Sequence, residues 1–373
     1  MATVDFVYVN AGGGHRAAAT ALQAVTETQL GWTARLLNLQ DVLDPIDIVR
    51  RLTGVRFDDW YNKIMKRGWT FGAARMVPVL QAVIRHYHND QVRLIEAHWK
   101  KSPPDLVVAM HPHFNRALFE GLRRVSPTAP YATILTDLAD YPPHFWMEKQ
   151  GQHFICGTEH AVEQARAIGA EEKFIHRVSG MILNPRFYEP MEINRRAERQ
   201  KLGLDSDKPT GLVLFGGLGS SVMTKIARHL DDSEVDCQLI FICGHNEKLA
   251  EKLRAGKSRL KRHVAGFTRE IPYFMRLSDF FIGKPGPGSI SEALAIRLPV
   301  IVQSNFLTLP QERYNAQWVV EQNIGVSVAS HREFPRAVAE ILRPEKFERF
   351  RANAAALNNR AVFEIPEILR GML

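Results

Sequence analysis

Cysteine is scarce in this chain. Only Cys156, Cys237 and Cys243 occur among 373 residues, and none forms a CxxC pair. They read as reduced, buried residues of a cytosolic protein rather than as a disulfide framework. No apolar run approaches the roughly 20 residues of a membrane span. An apolar strand already begins at residue 4, so no room for a signal peptide is expected. A GxGxxG fingerprint is missing too. The first glycine stretch, Asn10-Ala11-Gly12-Gly13-Gly14-His15-Arg16, lacks that spacing, and no acid closes the following strand (34–39) before Asp41. A dinucleotide site is therefore a poor fit. His111 and His113 have no third ligand at metal-binding spacing, so no metal is expected.

What is present suits a two-domain globular protein. The hydrophobic fraction is 45% and the charged fraction 24%, both ordinary. Strand-like runs at 4–9, 34–39, 105–110, 131–135 and 153–156 alternate with helical stretches. That alternation predicts an α/β chain with parallel, doubly wound sheets. The pattern breaks at Asn184-Pro185 and a polar stretch runs to Asp207. The expected domains are 1–185 and 200–360, with an amphipathic last segment, 361–373, able to cross back to the first.

Three glycine turns lead from a strand into a helix. The most informative is Lys284-Pro285-Gly286-Pro287-Gly288, after the run 280–282 and before Ser289 and Glu292. Such a turn offers free backbone N–H groups and a positive dipole end to a diphosphate, and Glu292 lies about one turn on, within reach of a ribose hydroxyl. The others are Gly13-Gly14, entering a helix at 17–25, and Gly216-Gly217-Leu218-Gly219-Ser220-Ser221. A second strand, 298–303, precedes another helix start. There Thr308 and Gln311 have capping-box spacing, and Gln311, Glu312 and Asn315 cluster near the N-terminus. A glycine turn with nothing bound is the plain alternative for any one of these. Together they read as a site for a sugar nucleotide.

The net charge of +8 could attract nucleic acid or anionic lipid, so its location matters. Residues 50–101 hold eleven Lys and Arg against four Asp and Glu, a local balance of +7. Phe57, Trp60, Tyr61, Trp69 and Phe71 are interleaved with the first of these. The segment reads either as a membrane-binding surface or as inward-packed aromatics beneath a solvated face.

KPGPGSISEA (284–293) followed by QERYN (311–315) resembles the donor half-site of GT-B glycosyltransferases of the monogalactosyldiacylglycerol synthase and MurG-like group. The string GGGHR, Thr136-Asp137, FGGxG at 215–219, GHN at 244–246 and VxGF at 264–267 extend the likeness over nearly the whole chain. The resemblance implies two Rossmann-like domains with the active site in the cleft between them. It implies a donor site of Gly217, Gly219, Ser220, Gly244, Asn246, Gly286, Pro287, Gly288, Ser289, Glu292, Gln311, Glu312 and Asn315, with Phe267 and Thr268 beside uracil and Gly13 and Gly14 in the first loop. The implied reaction is inverting transfer of a hexose, galactose before glucose, from a UDP-sugar to diacylglycerol. The base is His15 or Asp137, and no metal cofactor is needed. It also tips residues 50–101 toward an anionic membrane, with peripheral attachment at the cytoplasmic face and no nucleic-acid partner. The alternatives are a MurG-like transfer to a polyprenyl-linked acceptor, a UDP-sugar epimerase, and a sugar-nucleotide-responsive binding protein without turnover.

Overall fold

The computed structural model describes every residue except 11–12, 57–58, 60–72 and 307. Gly12, Leu307 and the aromatic part of the basic segment, with Phe57, Trp60, Tyr61, Lys63, Lys66, Arg67, Trp69 and Phe71, thus lie outside the described residues. The chain forms two compact units. One comprises Met1–Pro185, Leu309–Gln311 and Arg360–Leu373; the other comprises Arg186–Thr308 and Glu312–Asn359.

In the first unit, strands β1 (Thr3–Tyr8), β2 (Thr33–Asn38), β3 (Leu106–Ala109), β4 (Tyr131–Ile134), β5 (His153–Cys156) and β6 (Ile175–Arg177) form one parallel sheet in the order β2-β1-β3-β4-β5-β6. A parallel sheet is covered on both faces, so its central strands are continuous apolar runs. Every residue of β3 and β4 is buried. One face packs on Ala18, Ala19 and Leu22 of helix Gly14–Leu30 and on Ile365 and Leu369 of the final helix, Ala361–Arg370. The other packs on Val92, Ile95 and Trp99 of helix His88–Lys101 and on Leu118 and Leu122 of helix Asn115–Val125. The final helix is pinned at its start. Glu364 accepts the Ser179 N–H at 2.8 Å, and the Arg360 N–H donates to the Ser179 hydroxyl at 2.6 Å.

The second unit repeats the plan with β7 (Thr210–Leu214), β8 (Gln238–Ile242), β9 (Arg262–Ala265), β10 (Phe280–Gly283), β11 (Val300–Gln303) and β12 (Gly325–Val328). Their order is β12-β11-β10-β7-β8-β9, again parallel. The strand order reverses between β1 and β3 in one sheet and between β7 and β10 in the other. Ligands of open α/β sheets bind beside such points, at the carboxyl ends of the strands.

Strands β6, β9 and β12 were not among the expected elements. All are edge strands and only partly buried, so they lack the apolar run that marks their neighbours. The first helix begins at Gly14, three residues before the expected start, with Gly13 as its cap at φ 83°. Glycine takes that left-handed conformation without steric cost. The helix after β11 begins at Pro310, so Thr308 lies too early to cap it. Its hydroxyl instead accepts the Asn305 N–H at 2.8 Å.

Candidate active site

At the switch point of the first sheet, the loops after β1, β3 and β4 bring titratable side chains together. His15, in the first turn of its helix, has its Nδ1 2.9 Å from the Thr136 hydroxyl just beyond β4. Burial, and then the neighbouring His111, push its imidazole down to about 3, against a hydrogen bond to the Met110 backbone. It is therefore uncharged at neutral pH. His111 is 1% exposed, and its Nδ1 lies 2.8 Å from the Pro112 carbonyl while its Nε2 is buried without a hydrogen-bond partner. Burial lowers His111 and His113 to about 4 each, and His111 adds to the effect on His113. His113 and Phe114 both take positive φ, 63° and 52°, conformations that cost energy in residues other than glycine and gather at functional sites.

Asp137 is buried, and its Oδ2 accepts the indole N–H of Trp146 at 3.1 Å. The same Trp146 ring stands 5.8 Å from His15, edge to face. The two candidate bases thus share one fully buried tryptophan as a neighbour. No motif marked Trp146. The signal available was the pair Asp137 and Asp140 ahead of Tyr141-Pro142-Pro143, since an Asp before such a turn commonly binds the backbone that follows it.

In the second unit the strand-end loops are built from backbone. Gly244, at φ 58°, follows β8, and a Cβ there would fall 2.1 Å from the Gly217 carbonyl oxygen. The His245 N–H donates to that oxygen at 2.9 Å. The two turns after β7 and β8 therefore interlock, and only glycine permits the approach. Ser220 accepts the Val222 N–H at 3.3 Å, and Asn246 caps helix Glu247–Ala255 by accepting the Leu249 N–H at 3.1 Å. Phe267 is 57% exposed and stacks on His245 with ring centres 4.1 Å apart. Thr268 accepts the Glu270 N–H at 3.0 Å.

After β10, Gly286 caps helix Pro287–Ala295, and Ser289 donates to the Gly286 carbonyl at 3.2 Å. Gly288 stands in open space. Burial alone raises Glu292 to about 7. The helix Pro310–Glu321 is tied back to this turn: Glu312 pairs with Lys284, and the Asn315 amide donates to the Pro285 carbonyl at 2.8 Å. Glu312 and Asn315 are buried and Gln311 is half-buried. Carboxylate, lysine and glycine turn thus form one polar assembly, suited to a ligand that carries both hydroxyls and a diphosphate.

Comparison with known proteins agrees with this division. Residues 15–180 match the family model for monogalactosyldiacylglycerol (MGDG) synthase, and residues 212–367 match that for the glycosyltransferase family 28 C-terminal domain. A probable chloroplastic monogalactosyldiacylglycerol synthase of Glycine max is 29% identical over 90% of this chain and 64% of its own length. Monogalactosyldiacylglycerol synthase 3 of Arabidopsis thaliana is 28% identical over 97% of this chain and 80% of its own. Among solved structures, a complex of S. aureus MnaA with UDP superposes with a TM-score of 0.62 at 13% identity, covering 99% of this chain and 97% of that one. MurG of Acinetobacter baumannii superposes at 0.61 and 13%, covering 99% of each. At such identities the structures speak to the fold alone. The chain is thus a glycosyltransferase of GT-B fold, similar over residues 15–180 to monogalactosyldiacylglycerol synthases and over residues 212–367 to glycosyltransferase family 28.

Proposed function

We propose that the chain transfers a hexose, galactose before glucose, from a UDP-sugar to the free hydroxyl of diacylglycerol, with inversion at the anomeric carbon. The observation that carries this reading is the gathering of His15, Thr136 and Asp137 within the segment that matches the MGDG synthase model. In the step itself, a base takes the proton of the acceptor hydroxyl. The oxygen attacks the anomeric carbon, and the bond from that carbon to the β-phosphate oxygen breaks with its electron pair leaving on UDP.

Two groups in the first unit can act as that base. His15 is neutral at physiological pH and so can accept a proton, provided the acceptor hydroxyl takes the place of Thr136 at Nδ1. Asp137 is oriented by the Trp146 N–H and can accept directly or steer the imidazole. In the second unit, Gly217, Gly219, Gly286, Gly288 and the helix N-termini that follow them stabilise the departing diphosphate. That role is one a metal fills in other transferases, so added chelator should leave turnover intact. Glu292 holds the ribose, Phe267 and Thr268 flank the base, and Gln311 and Glu312 hold the sugar.

Attachment to an anionic membrane is assigned to residues 50–101. Among the described residues no helix is long and apolar enough to cross a membrane. Part of the local charge is compensated: Arg50 and Arg56 pair with Asp44 and Asp41 just outside the segment. Lys63, Lys66 and Arg67 are the charges to test.

The deciding experiment is a panel of UDP-sugars against diacylglycerol in liposomes, read by the mass of the lipid product, with and without EDTA. A hexosyl-diacylglycerol made from UDP-galactose is expected. Product only with a polyprenyl phosphate acceptor, or an altered sugar nucleotide with no lipid product, replaces this reading with a MurG-like transfer or an epimerase.

A further inference from the structure

We propose that Asp140 is a positioning residue for the transfer: it fixes the loop 140–146 so that Trp146 presents its indole N–H to Asp137. The inference rests on the reading of Asp137 and His15 as the proton-accepting pair. Its basis is a set of contacts that no binding role explains.

Asp140 is 3% exposed, and its carboxylate accepts three successive backbone N–H groups of its own loop. His144 donates to Oδ2 at 2.9 Å, while Phe145 and Trp146 donate to Oδ1 at 2.9 and 2.6 Å. Hydrogen bonds to an ionised carboxylate are about twice as strong as neutral ones, so this one side chain organises the whole turn. Its own backbone is held from the other side. The Gln164 amide accepts the Asp140 N–H at 2.8 Å and donates to the Asp140 carbonyl at 3.0 Å.

Trp146 is then fixed at three points. Its N–H goes to Asp140, its carbonyl accepts from the Asn115 amide at 3.1 Å, and its indole N–H reaches Asp137. Its ring also meets His15. The chain runs from Asp140 through the Trp146 backbone to the indole, and from there to both candidate bases. His144 in the same turn takes φ 64°, a strained conformation that persists where the surroundings enforce it.

The test uses the full chain with UDP-galactose and diacylglycerol liposomes. Asp140→Ala is expected to lower kcat about 10²-fold, the scale of a 1 Å misplacement, with UDP affinity by calorimetry unchanged. Asp140→Asn keeps an oxygen for Phe145 and Trp146 and should recover most of kcat. Trp146→Phe removes only the N–H to Asp137; it should lower kcat on its own and add nothing to Asp140→Ala, since coupled residues are not additive. A folded Asp140→Ala with wild-type kcat, or a double variant whose losses multiply, overturns the inference. Should Asp140→Ala fail to fold, Trp146→Phe decides, and wild-type turnover there overturns it equally. Asp137→Ala run in parallel separates the two levels. If that variant is fully active, the reading of the base falls and the inference with it. If it is inactive while Asp140→Ala is unimpaired, the inference alone falls.

Discussion

In the first unit, the loops and helix starts at the carboxyl ends of β1, β3 and β4 carry His15, His111, His113, Asp137 and Asp140. In the second, the loops after β7, β8 and β10 carry Gly216, Gly217, Gly219, Gly244, Gly286 and Gly288. The sheets beneath them share strand count, parallel pairing and a reversal of order, so the difference lies wholly in what the loops present. One set presents side chains whose proton affinity is shifted by burial. The other presents backbone N–H groups, which carry no titratable charge and can approach an anion closely. Under the proposed function, the same architecture, repeated within one chain, serves proton transfer in one unit and holds a diphosphate in the other. Fold and chemistry are separable even inside a single polypeptide.

Three measurements break or sharpen that contrast. The largest effect belongs to the proton-transfer side. Asp137→Ala and His15→Ala are each expected to leave UDP affinity unchanged by calorimetry, and whichever residue is the base should lose about 10²–10⁴ in kcat. A loss of UDP binding in either variant, at full thermal stability, erases the division of labour.

The next concerns Glu292, the carboxylate proposed to hold the ribose. Glu292→Ala should weaken UDP by about 1–3 kcal/mol while the first unit's residues are untouched. Burial raises this carboxyl to about 7, and ribose hydroxyls donate to its ionised form. UDP affinity should therefore rise between about pH 6 and about pH 8, and Glu292→Gln should flatten the rise. The sign for folding is opposite. A carboxyl raised in the folded state favours the protonated form, so its contribution to stability is present at low pH and is lost as pH climbs toward 7. Thermal unfolding of wild type against Glu292→Gln across that range checks it, and parallel curves exclude the raised acid.

The smallest effect per residue is expected at residues 50–101. Each basic residue near an anionic surface contributes about 1 kcal/mol. Changing Lys63, Lys66 and Arg67 together to Glu should therefore abolish sedimentation with anionic liposomes and leave UDP affinity alone. High salt should mimic the change, because screening limits surface charge to about 8 Å at physiological ionic strength. Binding indifferent to lipid charge, salt and substitution makes this segment a solvated face.

Much of this molecule was legible in its residues. The central strands announced themselves because a parallel sheet buries both faces of β3, β4 and β10, which leaves short apolar runs marked off by turn residues. The edge strands β6, β9 and β12 did not, since half of each faces solvent and the hydrophobic signal is halved. The glycine turns and the KPGPGSISEA and QERYN strings were equally plain, because a backbone that must approach a phosphate or turn at positive φ constrains residue type locally. What only the tertiary structure decided is who stands beside whom. His15 meets Thr136 across 121 positions of sequence, Glu312 meets Lys284 across 28, and Trp146 reaches back to Asp137 under the hold of Asp140. Local chemistry marks a turn or a run by the residues within it. A pairing between distant side chains leaves no mark in either segment alone, because it is set by the register of the sheet that carries both.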